Sequence, residues 1–273
     1  MIDLTINTDV ARRILTGFIK SEVNRVGFTR AVINLSGGLD SALSCALTAE
    51  ALGPENVLAL RLPYRTSSPD SLEHAQLMID KFKVRSETID ITKMVDPLIE
   101  NDPDMSKTRK GNIMARTRMI VLYDQSEAFK GLPIGTSNKT EILLGYSTMW
   151  GDMASAINPI GDLYKTQVRQ LSRALGIPDE IIDKPPSADL WTGQTDEGEL
   201  GFTYEQVDQL LFLIVDQRYS AQECVEEGFD EKFVHSVIER VRRSQFKRMM
   251  PPIAKVSNRT IGYDFLYLRD WGT

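Results

Sequence analysis

Apolar residues along this chain follow two rhythms, one with helical spacing and one in short continuous runs. Over residues 8–24 they recur at helical spacing, with Ala11, Ile14, Leu15 and Phe18 on one face and Thr8 placed to cap the start. Ala31-Val32-Ile33-Asn34-Leu35 is a continuous run closed by Ser36-Gly37-Gly38, the pattern of a strand buried on both faces. From Asp40 the helical spacing returns and runs to Leu52, where Gly53-Pro54 stops it. Residues 56–62 predict a second strand, Pro69 opens a helix running to Phe82, and residues 85–89 predict a third strand. A long helix over about 110–130 and a fourth strand at 132–136 follow. Strands alternating with helices at this spacing predict an α/β fold: a doubly wound parallel sheet of about five strands flanked by helices. From about Thr203 onward, helical segments at 204–217, 220–228 and 231–249 read as C-terminal additions. Residues 185–201 are polar and weakly periodic, the signature of a long functional loop. With no internal repeat or low-complexity tract, residues 1–273 are expected to form a single domain.

Composition narrows the function classes. The 273 residues are 42% hydrophobic and 26% charged, with a net charge of −6, which argues against a general nucleic-acid binder. Two distant cysteines, Cys45 and Cys224, suit neither a disulfide framework nor a cysteine zinc site, and His74 and His235 are isolated. No apolar run approaches the roughly 18 residues of a membrane span, and the first residues lack the pattern of a signal peptide. The expected location is the cytoplasm, with no membrane partner.

Candidate chemistry begins where the first strand ends. Ser36-Gly37-Gly38-Leu39-Asp40-Ser41 runs from a predicted strand into a helix N-terminus, the edge of an open α/β sheet where ligands bind. Two glycines allow close backbone approach to a phosphate, and the helix's first N–H groups point at it. Asp40 would repel a bare phosphate but suits one carrying Mg²⁺. The segment matches neither Gly-x-x-x-x-Gly-Lys-Ser/Thr nor Gly-x-Gly-x-x-Gly. A plain turn capped by Ser36 is the alternative.

The hexapeptide Ser-Gly-Gly-x-Asp-Ser resembles the pyrophosphate loop of the ATP pyrophosphatases, which split ATP between its α and β phosphates and adenylate a substrate. That group includes NAD, GMP and asparagine synthetases. Five further blocks, in order, resemble signatures of NAD synthetase: residues 111–118 (GNIMARTR), 135–141 (GTSNKTE), 158–165 (NPIGDLYK), 186–190 (PSADL), and Asp196-Glu197 with Glu199-Leu200-Gly201. The resemblance extends from about residue 30 to 255 and implies ATP-dependent amidation of deamido-NAD by ammonia through an adenylated carboxylate, releasing AMP and pyrophosphate. It implies Asp40 and Glu141 as Mg²⁺ ligands, and Ser36, Gly37, Gly38, Leu39, Asp40 and Ser41 as the phosphate loop. Thr136, Lys165 and Ser187 would contact ATP, Arg116 and Lys247 would contact deamido-NAD, and Asp40, Glu141 and Lys165 would be the catalytic set. A homodimer with the dinucleotide at the subunit interface is implied too. Read without the resemblance, Glu141 could be a solvated carboxylate, Lys165 an exposed helix-start lysine, Arg116 an ion-paired arginine, and residues 240–248 a solvated cationic helix face. The loop at 185–201 is expected to be mobile without ligand and to order when ATP and Mg²⁺ bind.

Met149, Ala156 and Phe246 stand where ammonia-dependent members commonly carry Lys, Asp and His, which bears on substrate recognition. Residues 146–154 and 63–73 resemble the synthetase domain of the glutamine-dependent branch. Cys45, inside the helix after the phosphate loop, suits a small core residue rather than a glutaminase nucleophile. Free ammonia is then the expected donor, unless a separate subunit supplies it. Another amidotransferase of the same loop family and a non-catalytic nucleotide-binding module remain as rivals. The apolar runs at 119–122 and 210–215 suit a subunit contact or an internal core equally.

Overall fold

The computed structural model describes residues 2–187, 189–191 and 194–261. Helix α1 (Thr8–Arg25) leads into β1 (Ala31–Asn34), α2 (Leu39–Leu52), β2 (Val57–Arg61), α3 (Pro69–Phe82) and β3 (Arg85–Thr88). Next come α4 (Thr92–Glu100), α5 (Lys107–Phe129), β4 (Leu132–Ile134), α6 (Lys139–Leu144), α7 (Lys165–Ala174) and α8 (Asp179–Ile182). The order closes with α9 (Asp196–Leu200), α10 (Tyr204–Leu211), α11 (Ala221–Glu226) and α12 (Glu231–Arg243).

The four strands are parallel in the order β3-β2-β1-β4, so the chain reverses its direction of winding between β1 and β4. Strand side chains alternate between the faces. Ala31 and Ile33 enter the core beneath α1, α2, α3 and α7, whereas Val32, Leu58 and Leu60 pack against α4 and α5. β3 is an edge strand whose Arg85, Ser86, Glu87 and Thr88 are all exposed, a charged composition that discourages pairing with another chain. A third apolar cluster joins α6 to α10, α11 and α12.

Several expectations are corrected here. The sheet has four described strands rather than about five. Beside β4 the chain makes only an isolated parallel bridge between Ile134 and Ile157, and Pro159, lacking an N–H, cannot extend it. α1 is capped by Asn7, whose side chain accepts from Val10 N–H, not by Thr8. Its fully buried apolar positions are Ile19 and Val23, while Ala11, Leu15 and Phe18 pack partly and Ile14 is exposed. Within the expected loop at 185–201, residues 196–200 form α9, ended by Gly201 at φ +83°. Residues 188, 192 and 193 of that segment lie outside the described residues. The run at 210–215 is mainly internal, with Leu210, Leu211 and Leu213 buried. The run at 119–122 divides: Val121 and Leu122 face inward and Ile120 is exposed.

Candidate active site

At the carboxyl end of β1 the chain turns through Gly37, at φ +80°. A Cβ there would lie 2.1 Å from the backbone oxygen of Ser71 at the start of α3, so both conformation and space require glycine. Ser41 braces the turn: its Oγ donates to the Gly38 carbonyl at 2.9 Å and accepts from Ser36 N–H at 3.2 Å. Ser36 Oγ takes the Gly38 N–H at 3.3 Å, and Gly38, the N-cap of α2, supplies no side-chain bond. Ser36 thus caps the turn, as the plain-turn alternative expects, while Gly38 gives the first N–H groups of α2 no side-chain cap and leaves them open to an anion.

Two helices, α6 and α7, bring an acid and a lysine from distant sequence to this turn. Asn138 caps α6 by accepting Glu141 N–H at 2.9 Å, and its amide nitrogen donates to Asp40 Oδ1 at 2.8 Å. Lys165 opens α7, with its backbone N–H on Thr140 Oγ1 at 3.0 Å. Its ammonium contacts Asp40 Oδ2 and lies 3.1 Å from Glu141 Oε1 and 5.1 Å from the centre of the Tyr204 ring. Asp208 of α10 fixes this geometry from behind, accepting from Thr140 Oγ1 at 2.5 Å and Thr166 N–H at 2.8 Å. Asp196 adds a third carboxylate, itself buried, one oxygen of which accepts from Tyr204 OH at 3.1 Å while Oδ1 has no hydrogen-bond partner among the described residues.

The electrostatics follow from three acids crowding one ammonium. Burial pushes the Glu141 carboxyl up to about 8; Lys165 opposes the shift and Asp40 and Asp196 reinforce it. Burial alone would lower the Lys165 pKa, but Asp40 and Glu141 outweigh it and hold the ammonium above its ordinary range. Lys165 is only 4% exposed, so it is not a solvated helix-start lysine.

These groups line one cavity of about 540 Å³ that also takes in Ser36, Gly38, Leu39, Thr136 and Ser187. The segment from α8 to α9 closes one side. Asp189 accepts from Ser68 N–H at 3.1 Å and Ser71 Oγ at 3.0 Å, which ties the segment to the start of α3. Asp189 itself adopts φ +50°, and Ser187 Oγ accepts its N–H at 3.1 Å. Leu190 packs so closely on α5 that a Cβ at Gly111 would meet it at 2.8 Å.

A model of the NAD synthase family matches residues 11–251. The chain belongs to that family. The NH(3)-dependent NAD(+) synthetase of Trichlorobacter lovleyi is 57% identical over 272 residues, covering 100% of both chains. The protein of the same description from Chlorobaculum parvum is 55% identical over 269 residues, 98% of this chain and 97% of its own. Among solved structures, an NH3-dependent NAD synthetase from Campylobacter jejuni, in complex with nitrate, superposes with a TM-score of 0.79 at 32% identity. The match covers 92% of this chain and 100% of that one.

Not every expected residue of this NAD synthase reaches the cavity. Gly37, Arg116 and Lys247 do not line it. Arg116 is exposed and donates to the Met149 carbonyl at 3.2 Å rather than to an acid. Lys247 donates to the carbonyls of Gly145 and Ser147, each at 2.7 Å, beside a second cavity of about 450 Å³ where Phe246 is 60% exposed. Arg248 adds bonds to the carbonyls of Ile142 and Leu143, at 2.9 and 2.8 Å. Three of the five cations at 240–248, Arg240, Lys247 and Arg248, are thus spent on the carbonyl end of α6, where positive charge is favoured, while Arg242 and Arg243 remain on a solvated face beside Glu239. Sequence reasoning gave no site role to Arg118, Asn138, Asp189, Asp196, Tyr204 or Asp208. Asp208 had a detectable signal, an acid set among the apolar positions Tyr204, Val207 and Leu211 at helical spacing.

Proposed function

We propose that this NAD synthase amidates deamido-NAD with ammonia at the cavity between the Ser36–Ser41 turn and the Asp40–Glu141–Lys165 cluster, consuming ATP and releasing AMP and pyrophosphate. The observation that carries the reading is the cluster itself. A carboxylate resists attack by ammonia because its charge and resonance repel a nucleophile, so it must first become a mixed anhydride with AMP. The protein's part is positioning, electrostatics and exclusion of water from the anhydride.

The triphosphate lies along the turn, its oxygens on the uncapped N–H groups of α2, with Ser36, Ser41, Thr136 and Ser187 supplying hydroxyl contacts. Asp40 and Glu141 suit Mg²⁺, which favours one or two protein carboxylates together with phosphate oxygens. Asp40 and Glu141 share one ammonium, with Asp196 close enough to act on it as well, so the cluster carries more negative charge than the protein alone neutralises. Bound there, Mg²⁺ would polarise phosphate oxygens and offset charge on the departing pyrophosphate. Lys165 holds the two carboxylates together until substrate arrives, and its ammonium is then the charge available to the pyrophosphate side. Arg116 and Lys247 flank the dinucleotide end, with Met149, Ala156 and Phe246 replacing the more usual polar residues. Deamido-NAD carrying ¹⁸O in its nicotinate carboxylate should transfer one ¹⁸O to AMP; unlabelled AMP would contradict adenylation of that carboxylate.

The segment at 185–201 serves as the cover over ATP, latched by Asp189. ATP with Mg²⁺ should protect it from limited proteolysis, and equal cleavage with and without both ligands would contradict this role. A second copy of the chain is the expected partner. Met94, Leu98, Ile120 and Tyr123 on α4 and α5 are 48%, 54%, 62% and 42% exposed, an apolar surface suited to such a contact, and a monomeric mass in solution would count against it. Ammonia arrives free or from a separate supplying subunit. Among the described residues no helix is long and apolar enough to cross a membrane, and we place the protein in the cytoplasm.

A further inference from the structure

Arg118 lies two residues beyond Arg116 on α5, and the two side chains have different surroundings. Arg116 reaches the exposed Met149 carbonyl. Arg118 forms part of the cavity wall, with its Nε donating at 3.0 Å to the carbonyl of Leu62, just past the end of β2. That is the one hydrogen bond it makes among the described residues. Asp189 and Asp152 act on its charge only through space; burial depresses its basicity and the two acids oppose that shift.

Of the other cations of the cavity wall, Lys165 and Arg169 are ion-paired, the first to Asp40 and Glu141 and the second to Glu205, while Lys184 bonds the neutral side chain of Ser71 and Arg61 that of Gln76. The last two are tied to α3, and Arg118 is the lining cation contributed by α5. A desolvated guanidinium with one edge fixed on a backbone carbonyl, no counter-ion in contact and a cavity before it is a receptor for an anion.

Two anions must enter. The triphosphate has the turn at the end of β1 and Lys165 to receive it. The carboxylate of the dinucleotide has no such group yet assigned, although it must be brought against the α-phosphate, which repels it. A planar guanidinium matches a two-oxygen carboxylate in a way that an ammonium does not.

We propose that Arg118 binds the nicotinate carboxylate of deamido-NAD through its guanidinium fork and holds it for attack on the α-phosphorus. The proposal rests on the reaction given above. In that step a carboxylate oxygen forms the bond to the α-phosphorus, the bond from the α-phosphorus to the bridging oxygen breaks, and its electron pair leaves with pyrophosphate. Arg118 keeps its proton throughout, and the anhydride formed is neutral at the carbonyl, which weakens its hold as the step completes.

The test is calorimetric titration of the wild type, Arg118→Gln and Arg118→Lys with deamido-NAD and, separately, with ATP and Mg²⁺. Arg118→Gln should bind deamido-NAD at least about tenfold more weakly and ATP within about twofold of wild type. Arg118→Lys, which keeps the charge and loses the fork, should recover part of the difference, and in turnover KM for deamido-NAD should rise while KM for ATP holds. Unchanged deamido-NAD affinity in Arg118→Gln, or loss of ATP affinity with deamido-NAD retained, would overturn the assignment. If Arg118→Gln loses both ligands, Arg118→Lys decides: ATP binding kept with deamido-NAD weakened supports the proposal, and equal loss of both overturns it. A wild type that binds no deamido-NAD would sink the reaction itself, an outcome distinct from failure of the Arg118 role.

Discussion

Asp40→Asn should leave kcat at least about a thousandfold below wild type, because a carboxylate that clamps a metal on developing charge contributes on the order of 4 kcal/mol and each 1.4 kcal/mol is a factor of ten. The substitution is nearly isosteric, so Asn138 can still bond residue 40 and the fold should survive. Glu141→Gln should behave alike, since it removes the second carboxylate that Lys165 bridges. Ser41→Ala gives the contrast. It removes a brace within the turn, worth about 1 kcal/mol, and should cost roughly fivefold. Steady-state rates with thermal unfolding as a folding check would separate these cases. Asp40→Asn within tenfold of wild type would remove the metal-clamp role.

Lys165→Met should be damaging twice over, in catalysis and in stability. It removes the charge available to pyrophosphate and leaves Asp40, Glu141 and Asp196 crowded without their ammonium, and breaking a buried pair in this way costs about 3–5 kcal/mol. The loss should depend on pH in a definite direction. A carboxyl whose folded pKa is raised binds more protons folded than unfolded, so its stabilising effect is complete below the unfolded value and disappears as pH rises through the folded one. For Glu141 that window runs from its ordinary 4.5 to about 8 in the wild type, and it extends higher once Lys165 is gone. Lys165→Met should therefore go on losing stability above about pH 8, where the wild type has levelled off, so that its deficit is larger at about pH 9 than at about pH 7. A stability deficit unchanged across that range would contradict the crowding of acids as its cause.

The parts of the fold that the sequence predicted well are those held by strong local signals. Pro69 and Phe82 bound α3 as the pattern of start residue and apolar face predicts, and Gly53 at φ +85° ends α2 where a glycine was expected to. Long segments with one apolar face were legible for the same reason. α4 was missed because its nine residues bury only Val95 and Ile99, too short a stripe to stand out. The helix expected over 231–249 stops at Arg243, where Lys247 and Arg248 turn back onto the carbonyl end of α6, a tertiary demand that no local period encodes.

The site divides along the same line. The Ser36–Ser41 turn announces its chemistry locally, whereas Glu141 and Lys165 owed their assignment to ordered resemblance rather than to any pattern of their own. The residues that hold them in register, Asn138 and Asp208, are buried polar groups whose partners lie 98 and 68 positions away, at Asp40 and Thr140. Such partners become visible only when the parallel strands have brought their carboxyl ends to one edge. Arg116 and Arg118 show the reverse case: two positions apart within one motif, they are indistinguishable by type and are told apart only by which one the packing of α5 sets into the cavity wall.

The most direct test of the central claim mixes purified protein with ATP, Mg²⁺ and deamido-NAD, adds ammonium or glutamine in parallel, and quantifies NAD and AMP. The account predicts NAD and AMP in equal amounts with ammonium alone. AMP without NAD, or no product from either donor while ATP still binds, would contradict it.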